Sequence, residues 1–186
     1  ATYQVSNLEA TLYLFAGIFT YGIVYTVWLK RWTWMNIVIG GLAGSFAVLV
    51  GSAATGNTFS PAPLILSVVL FLWTPPHFWA LAISFKDEYA KADIPMLPVV
   101  HGDKVTSQAI FWHTLVLVIL SWSLFFYGMN WIYLFFAIFG GGYFLYCSFL
   151  LLKEQSKALA RKTFFSSIIH LGLLLLGAMF DAMIFA

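Results

Sequence analysis

The residues best suited to chemistry lie together between Trp73 and Lys104. This stretch begins with Trp-Thr-Pro-Pro-His-Phe-Trp, in which the histidine is His77, and continues after two apolar turns into Lys-Asp-Glu-Tyr. Although only 9% of all residues are charged, four of the seven carboxylates lie within seventeen residues here: Asp87, Glu88, Asp93 and Asp103. Ionisable residues gathered in so apolar a chain indicate a pocket that opens at a membrane surface and binds a charged, metal-bridged group.

Asp87 and Glu88 are the candidate metal ligands of this stretch. Each stands within one helical turn of Lys91, so one interpretation is a solvated helix end with an ordinary ion pair. The other is a carboxylate pair that holds Mg²⁺ beside a lysine, because this ion favours one or two carboxylates together with substrate phosphate oxygens. The segment 94–98 is apolar and contains two prolines, which suits a short lid or re-entrant segment over the pocket.

His77 follows Pro75 and Pro76, which each remove a backbone donor from an apolar stretch. Such a break persists in a membrane only where it is buried in protein or lines a cavity. His77 is therefore either a hydrogen-bonding residue between helices or part of a pocket wall. His113 and His170 lie in two further apolar stretches, so axial ligation of a haem by histidines is an alternative.

A membrane bundle must position these residues, because 62% of the 186 residues are hydrophobic and the mean hydropathy is +0.91. A helix crosses a bilayer with about 20 apolar residues. The single cysteine excludes a disulfide framework, and the net charge of +2 gives no reason to expect a nucleic-acid partner. Six stretches are predicted to span the membrane: 9–29, 35–55, 63–85, 107–127, 130–152 and 164–185.

The basic residues predict the orientation of the bundle. All nine lysines and arginines fall in the first, third and fifth breaks between the spans, at 30–34, 86–106 and 153–163. By the positive-inside rule these three breaks face the cytoplasm or an equivalent compartment. Both ends of the chain are then expected on the opposite side.

The same blocks carry a family resemblance that composition and spacing alone do not give. The block 73–79, Lys-Asp-Glu-Tyr at 86–89 and Ala-Asp-Ile-Pro-Met-Leu-Pro-Val-Val at 92–100 resemble the haem O synthases, a branch of the UbiA-type intramembrane prenyltransferases. Tyr-Thr-Val-Trp-Leu-Lys-Arg at 25–31 and Asn-Ile-Val-Ile-Gly-Gly at 36–41 agree with it. The resemblance covers nearly the whole chain.

This resemblance implies transfer of a farnesyl group from farnesyl diphosphate to a vinyl group of haem b, with addition of water, to give haem O. Asp87 and Glu88 are then expected to hold a diphosphate-bridging Mg²⁺. Tyr89 is expected to orient the diphosphate, and His77 to position haem or assist the water step. Further contacts to phosphate or substrate are expected from Lys30, Arg31, Lys86, Lys91, Trp73 and Trp79. Lys91 is also expected to be a catalytic residue.

The resemblance also implies an all-α bundle of nine transmembrane helices, of which the six here match the fourth to the ninth. The family's first acidic motif, Asn-x-x-x-Asp-x-x-x-Asp, does not occur in the chain. We therefore expect residues 1–186 to be one transmembrane domain, a C-terminal fragment that is inactive alone. The family commonly has glycine at the position of Asp93, which argues against that residue as a ligand. It also usually has Pro-Pro where this chain has Ser45 to Val48.

The implied location is a bacterial inner membrane or the mitochondrial inner membrane, with the basic breaks on the cytoplasmic or matrix side. The implied partners are farnesyl diphosphate, haem b and membrane lipid, with haem A synthase or terminal oxidase assembly factors as candidate proteins. Two alternatives remain open at this point. One is a prenyltransferase for a quinone or chlorophyll precursor, against which the Pro-Pro-His-Phe-Trp and Pro-Met-Leu-Pro blocks argue. The other is a non-catalytic haem-binding or transport subunit.

Overall fold

The structure is a computed structural model that describes residues 6–185, and this part of the chain is helical throughout, without strands. The α-helices are α1 Leu8–Phe19, α2 Asn36–Gly40, α3 Leu42–Ala54, α4 Pro61–Ser84, α5 Lys86–Lys91, α6 Leu97–Ser123, α7 Trp131–Lys153 and α8 Lys157–Phe185. The first helix, α1, continues directly into a π-helical segment, Thr20–Leu29. A short 3₁₀ turn, Leu124–Tyr127, ends the long helix α6.

Six spans long and apolar enough to cross a membrane occur within residues 6–185, which confirms the polytopic all-α prediction. Two begin at least seven residues earlier than the hydropathy pattern suggested. The fourth starts at Leu97 instead of residue 107, and the sixth at Lys157 instead of residue 164. Hydropathy marks only the apolar part of a helix, whereas the backbone continues helical into the charged surface layer. Gly102, with φ +79°, interrupts α6 close to its start.

Local sequence explains where the helices begin and end. The Asn7 side chain accepts a hydrogen bond from the backbone N–H of Ala10, which caps α1. Pro61 occupies the first turn of α4, where its missing N–H costs nothing. Gly56 and Gly128, with φ +75° and +104°, terminate α3 and the 3₁₀ turn in the left-handed conformation that glycine adopts most easily.

The two prolines inside α4 do not end that helix. Pro75 and Pro76 are buried, and α4 continues through them to Ser84. Each proline leaves one carbonyl of the preceding turn without its backbone donor, which a membrane helix tolerates where neighbouring groups compensate. The helix nevertheless remains continuous, so His77 lies on the same helix as Trp73.

Small residues bring α7 and α8 into close contact. A methyl group on Gly140 would lie 3.2 Å from the His170 Cα atom, and one on Gly177 would lie 2.8 Å from the Phe136 Cβ atom. Along α8, one face is buried, and its polar members are Thr163, Ser166, Ser167, His170 and Asp181. Helices in lipid associate through such close packing and through hydrogen bonds. The absence of side chains at Gly140 and Gly177 therefore allows these two helices to pack closely.

Asp181 joins the end of α8 to the start of α7. Its carboxylate accepts hydrogen bonds from the Asn130 backbone N–H at 2.8 Å, the Asn130 side chain at 3.3 Å and the Tyr133 backbone N–H at 3.2 Å. These backbone donors belong to the first turn of α7, which has no intrahelical acceptors for them. Asp181 therefore caps a neighbouring helix instead of its own.

Candidate functional site

The three basic breaks meet at one end of the bundle. Lys157, at the start of α8, forms an ion pair with Asp87 of α5 at 2.9 Å. The rings of Trp34 and His101, from the first and third breaks, lie edge to face with centroids 5.4 Å apart. The alternation of basic breaks along the sequence thus corresponds to a single charged surface in space.

The two candidate metal ligands stand on the outside of this surface. Asp87 and Glu88 lie in the first turn of α5, and 69% of the Asp87 side chain is exposed. The hydrogen bond and charge of Lys157 hold the pKa of Asp87 below its ordinary value. Lys91, four residues from Asp87, is exposed and forms no ion pair with the described residues. The ion-pair partner of Asp87 is thus Lys157, which is distant in sequence, and not Lys91. The helical turn predicted for Asp87 to Lys91 does form, as α5.

A second ion pair joins α5 to α6. The Lys86 ammonium lies 2.9 Å from an Asp103 carboxylate oxygen, and about one third of each side chain is exposed. Tyr89, on the next turn, packs against the apolar cluster that includes Trp79 and Met96. Burial raises the pKa of the Tyr89 hydroxyl, so it stays protonated and able to donate a hydrogen bond.

His77 lies between two aromatic rings inside the bundle. The Trp73 ring stacks on one side with a centroid separation of 4.2 Å, and the Phe164 ring is stacked on it at 4.5 Å. His77 Nδ1 is 2.7 Å from the Ser167 hydroxyl, and Trp73 Nε1 donates to the Ser167 carbonyl at 2.9 Å. His77 therefore makes the interhelical hydrogen bond that the sequence offered as one of two interpretations.

Trp79 and the other two intramembrane histidines lie elsewhere. Trp79 is 2% exposed and contacts the His113 ring edge to face, at 5.2 Å between centroids. His113 Nδ1 lies 3.0 Å from the Ala109 carbonyl of its own helix. His170 is fully buried where α8 meets Gly140 of α7. Helix packing at His170 leaves no space for a macrocycle beside it.

Two hollows lie near the charged end. The outer one has a volume of about 350 Å³ and places Arg31 and Trp32 opposite the segment that contains Asp93 and Pro95. The inner one, about 110 Å³, lies between the π-helical segment, α2 and α4; its lining includes Tyr25, Gly40 and Phe78. The Phe78 ring also contacts His77, with centroids 4.9 Å apart. Phe78 thus separates this inner hollow from the buried imidazole.

Asp93, which lines the outer hollow, has an unusual backbone conformation. Its φ is +53°, a left-handed conformation in which glycine is favoured and aspartate is tolerated. This agrees with the expectation that Asp93 stands where glycine is common. The residue completes a turn after α5.

Comparison with known proteins decides the family. A profile of the UbiA prenyltransferase family matches residues 2–169. The chain belongs to this family. Two proteins of Paramagnetospirillum magneticum, named protoheme IX farnesyltransferase 2 and 1, are 52% and 45% identical over 96% and 94% of this chain. A protoheme IX farnesyltransferase of Roseiflexus castenholzii is 42% identical over 97% of the chain.

The chain spans 62% of the length of each of the two Paramagnetospirillum relatives and 34% of the Roseiflexus protein. No solved structure matches it significantly. For a UbiA family member, the charged end supplies the expected kinds of group: exposed carboxylates, lysines, an arginine and a protonated tyrosine.

Residues 6–185 contain no cluster of three or more histidine, cysteine or acidic side chains able to hold a metal alone. Asp87 and Glu88 are adjacent, exposed and on one short helix. One Asp87 oxygen is paired with Lys157, and the other carboxylate oxygens are open to an ion that brings further ligands with it. Magnesium is bound in this way in many phosphate-transfer sites, through one or two carboxylates and substrate phosphate oxygens. The donor set therefore fits a metal shared with a diphosphate.

Sequence reasoning did not identify Ser167 or Phe164 as neighbours of His77. Serine and phenylalanine are common in apolar helices, and Phe164 and Ser167 are about 90 residues away along the chain. The available signal was periodicity. Thr163, Ser167 and His170 recur at spacings of four and three, which places them on one face of α8.

Proposed function

We propose that the protein transfers the farnesyl group of farnesyl diphosphate to a vinyl group of haem b, giving haem O and diphosphate. The observation that carries this proposal is the similarity to proteins named protoheme IX farnesyltransferase. Identity of 52% extends over 96% of the chain, so it includes the charged end and the helix that bears His77. The blocks Pro-Pro-His-Phe-Trp and Pro-Met-Leu-Pro favour this activity over prenylation of a quinone or chlorophyll precursor.

The charged end would bind the diphosphate. Arg31 is exposed at the rim of the outer hollow, and Lys91 is exposed on α5, so both are accessible to an anion. Lys30 and Lys86 lie on neighbouring segments of the same surface and supply further positive charge. Cations placed where charge develops on the leaving group stabilise the transition state of group transfer. Tyr89, kept protonated by burial, would donate a hydrogen bond to a phosphate oxygen.

Asp87 and Glu88 would hold a Mg²⁺ ion together with the diphosphate oxygens. When bound, this ion neutralises the growing charge of the leaving diphosphate. Asp87 already has Lys157 as a partner at 2.9 Å. A bound cation would therefore take the other Asp87 oxygen, Oδ1, or replace the Lys157 ammonium at Oδ2.

The apolar interior would protect the reactive intermediate. The allylic cation left by diphosphate departure needs a dry environment with aromatic faces. The Trp73 and Phe164 rings stack on His77, and the Phe78 ring meets it edge to face, so aromatic groups surround this position. His77 would act beside the haem, in the step that adds water.

The charged end would face the bacterial cytoplasm or the mitochondrial matrix, since all nine basic residues lie there. Haem A synthase or terminal oxidase assembly factors are the protein partners we propose, because they would receive the product of this reaction.

The test is farnesyl transfer by the full-length protein in lipid nanodiscs, supplied with farnesyl diphosphate, haem b and Mg²⁺ and analysed by mass spectrometry. A haem product that has gained a farnesyl chain and water is expected. His77→Ala or Glu88→Ala should reduce turnover about 100-fold or more, the usual effect of losing an acid-base group or a metal ligand. Glu154→Ala, which removes an exposed acid from the same end, is the matched control.

Three outcomes would contradict parts of the proposal. Near-normal turnover of His77→Ala or Glu88→Ala would remove the roles assigned to those residues. Prenylation of a quinone precursor but not of haem would favour the other branch of the family. A stoichiometric low-spin haem that persists through purification, without product, would indicate a haem-binding subunit.

A further inference from the structure

We propose that Ser167 is a positioning residue that holds the His77 imidazole with its proton on Nδ1 and its lone pair on Nε2. The protonation of the imidazole follows from the geometry of α4 and α8. The use made of the Nε2 lone pair rests on the proposed farnesyl transfer.

The argument begins with the single proton of the Ser167 hydroxyl. Its oxygen lies 2.6 Å from the Phe164 carbonyl oxygen and 2.7 Å from His77 Nδ1. A hydroxyl can donate only once, and a carbonyl can only accept. If the proton pointed at His77, two oxygens without a proton between them would face each other at 2.6 Å, which is strongly repulsive.

Both short contacts are favourable in only one arrangement. The Ser167 hydroxyl donates to the Phe164 carbonyl, and His77 Nδ1 donates its own proton to the Ser167 oxygen. In the neutral imidazole the second nitrogen, Nε2, then carries a lone pair and no proton. The tautomer of a histidine is set by the hydrogen bond that its other nitrogen makes.

The surrounding contacts fix the ring in this position. Trp73 and Phe164 stack on the imidazole, so the ring cannot turn over without displacing an aromatic side chain. The Trp73 indole N–H donates to the Ser167 carbonyl at 2.9 Å, which ties the stacking residue to the same point of α8. His77 is 8% exposed, and its hydrogen bonds to the described residues go through Nδ1 alone.

An Nε2 lone pair makes His77 a base. In farnesyl transfer, a bond forms between the farnesyl C1 carbon and the terminal vinyl carbon while the bond from C1 to the diphosphate oxygen breaks. The positive charge left on the inner vinyl carbon is then taken by a water oxygen. The proton lost by that water passes to His77 Nε2, and the hydroxyl group remains on the product.

The first test reads the tautomer directly and needs no turnover. The full-length protein is labelled with nitrogen-15 histidine in nanodiscs, and the His77 signals are assigned by their loss in His77→Gln. We expect a protonated Nδ1 and an unprotonated Nε2 in the parent protein. Ser167→Ala should lose this pattern, because Nδ1 no longer has an acceptor.

Ser166→Ala is a matched control. Ser166 is the preceding residue, is fully buried like Ser167, and donates in the same way to a carbonyl one turn back, that of Thr163 at 2.8 Å. It makes no hydrogen bond to His77. Ser166→Ala should therefore leave the His77 signals unchanged, and Ser167→Thr, which keeps a hydroxyl, should restore them.

The second test measures kinetics of the same variants. Ser167→Ala should lower kcat about 10- to 100-fold, the range for loss of an outer partner of a functional histidine. The KM for farnesyl diphosphate should change little, because the serine contacts the imidazole and not the charged end. Ser167→Thr and Ser166→Ala should stay within a few-fold of the parent.

A proton on Nε2 in the parent protein, or a His77 spectrum that Ser167→Ala leaves unchanged, would overturn the proposal. Equal kcat losses in Ser167→Ala and Ser166→Ala would overturn it as well, since both would then reflect packing alone. A protein that shows the expected tautomer but transfers no farnesyl would refute the proposed function and leave the assignment of the imidazole intact.

Discussion

Asp181→Ala tests the cap that α8 provides for α7. The substitution removes the acceptor of two backbone N–H groups, those of Asn130 and Tyr133, and of the Asn130 side chain. Asp181 is only 2% exposed, so water cannot replace the carboxylate without a rearrangement. Each buried donor left without a partner costs about 1–3 kcal/mol. The Asn130 donors are only partly buried, which brings the expected loss of unfolding free energy to about 2–4 kcal/mol.

The assay is unfolding in mixed micelles by titration with sodium dodecyl sulfate, followed by tryptophan fluorescence and circular dichroism. Asp181→Asn keeps one carbonyl oxygen, so its cost should be about half that of the alanine variant. Glu9→Ala removes the other acid at this end of the bundle, and should cost less than about 1 kcal/mol because Glu9 accepts no hydrogen bond within residues 6–185. Equal costs for Asp181→Ala and Glu9→Ala would show that the capping argument is wrong.

Two further predictions concern packing and charge. Gly141→Ala should lower the free energy of unfolding by about 1–3 kcal/mol, because the added methyl group would lie 2.9 Å from a Val118 methyl carbon. Gly142→Ala is the control: its methyl group meets nothing within 4 Å, so this variant should be neutral or slightly stabilising. Indistinguishable unfolding curves for the two variants would contradict the prediction. Lys157→Gln should raise the pKa of Asp87 towards its ordinary value, which carbon-13 NMR of the carboxyl group measures. Because folding lowers this pKa, the ion pair stabilises the folded protein at pH values above the ordinary carboxyl pKa, and this stabilisation is lost as the pH falls through the lowered pKa. If the titration midpoint of Asp87 does not move in Lys157→Gln, Lys157 is not the cause of the lowered pKa.

The architecture was predictable because each span is a long apolar run and the basic residues mark every second break. Length and charge are local properties of a sequence, and a membrane turns them directly into spans and a shared surface. The helical turn at Asp87 and the glycine-favouring position of Asp93 were predictable for the same reason. Both depend on residues within a few positions of each other.

The contacts of the candidate site were less predictable because they join distant parts of the chain. Helical spacing indicated that Lys91 could reach Asp87. It could not show that Lys157, on another helix, is the lysine that pairs with Asp87 at 2.9 Å. The same holds for Ser167. A serine in an apolar helix usually bonds to its own backbone, as this one does, and only the structure brings His77 to the same oxygen.

The six spans are unevenly secured to one another. The first, Leu8–Leu29, has only two buried residues, Ala10 and Thr20, while α7 and α8 share glycine contacts and the Asp181 cap. The remaining apolar surface of this span must be covered by lipid or by other protein. Lys30 and Arg31 follow that span directly, so whatever covers it also supports the first basic break. Preparations that retain native lipid are the appropriate starting point for enzymology.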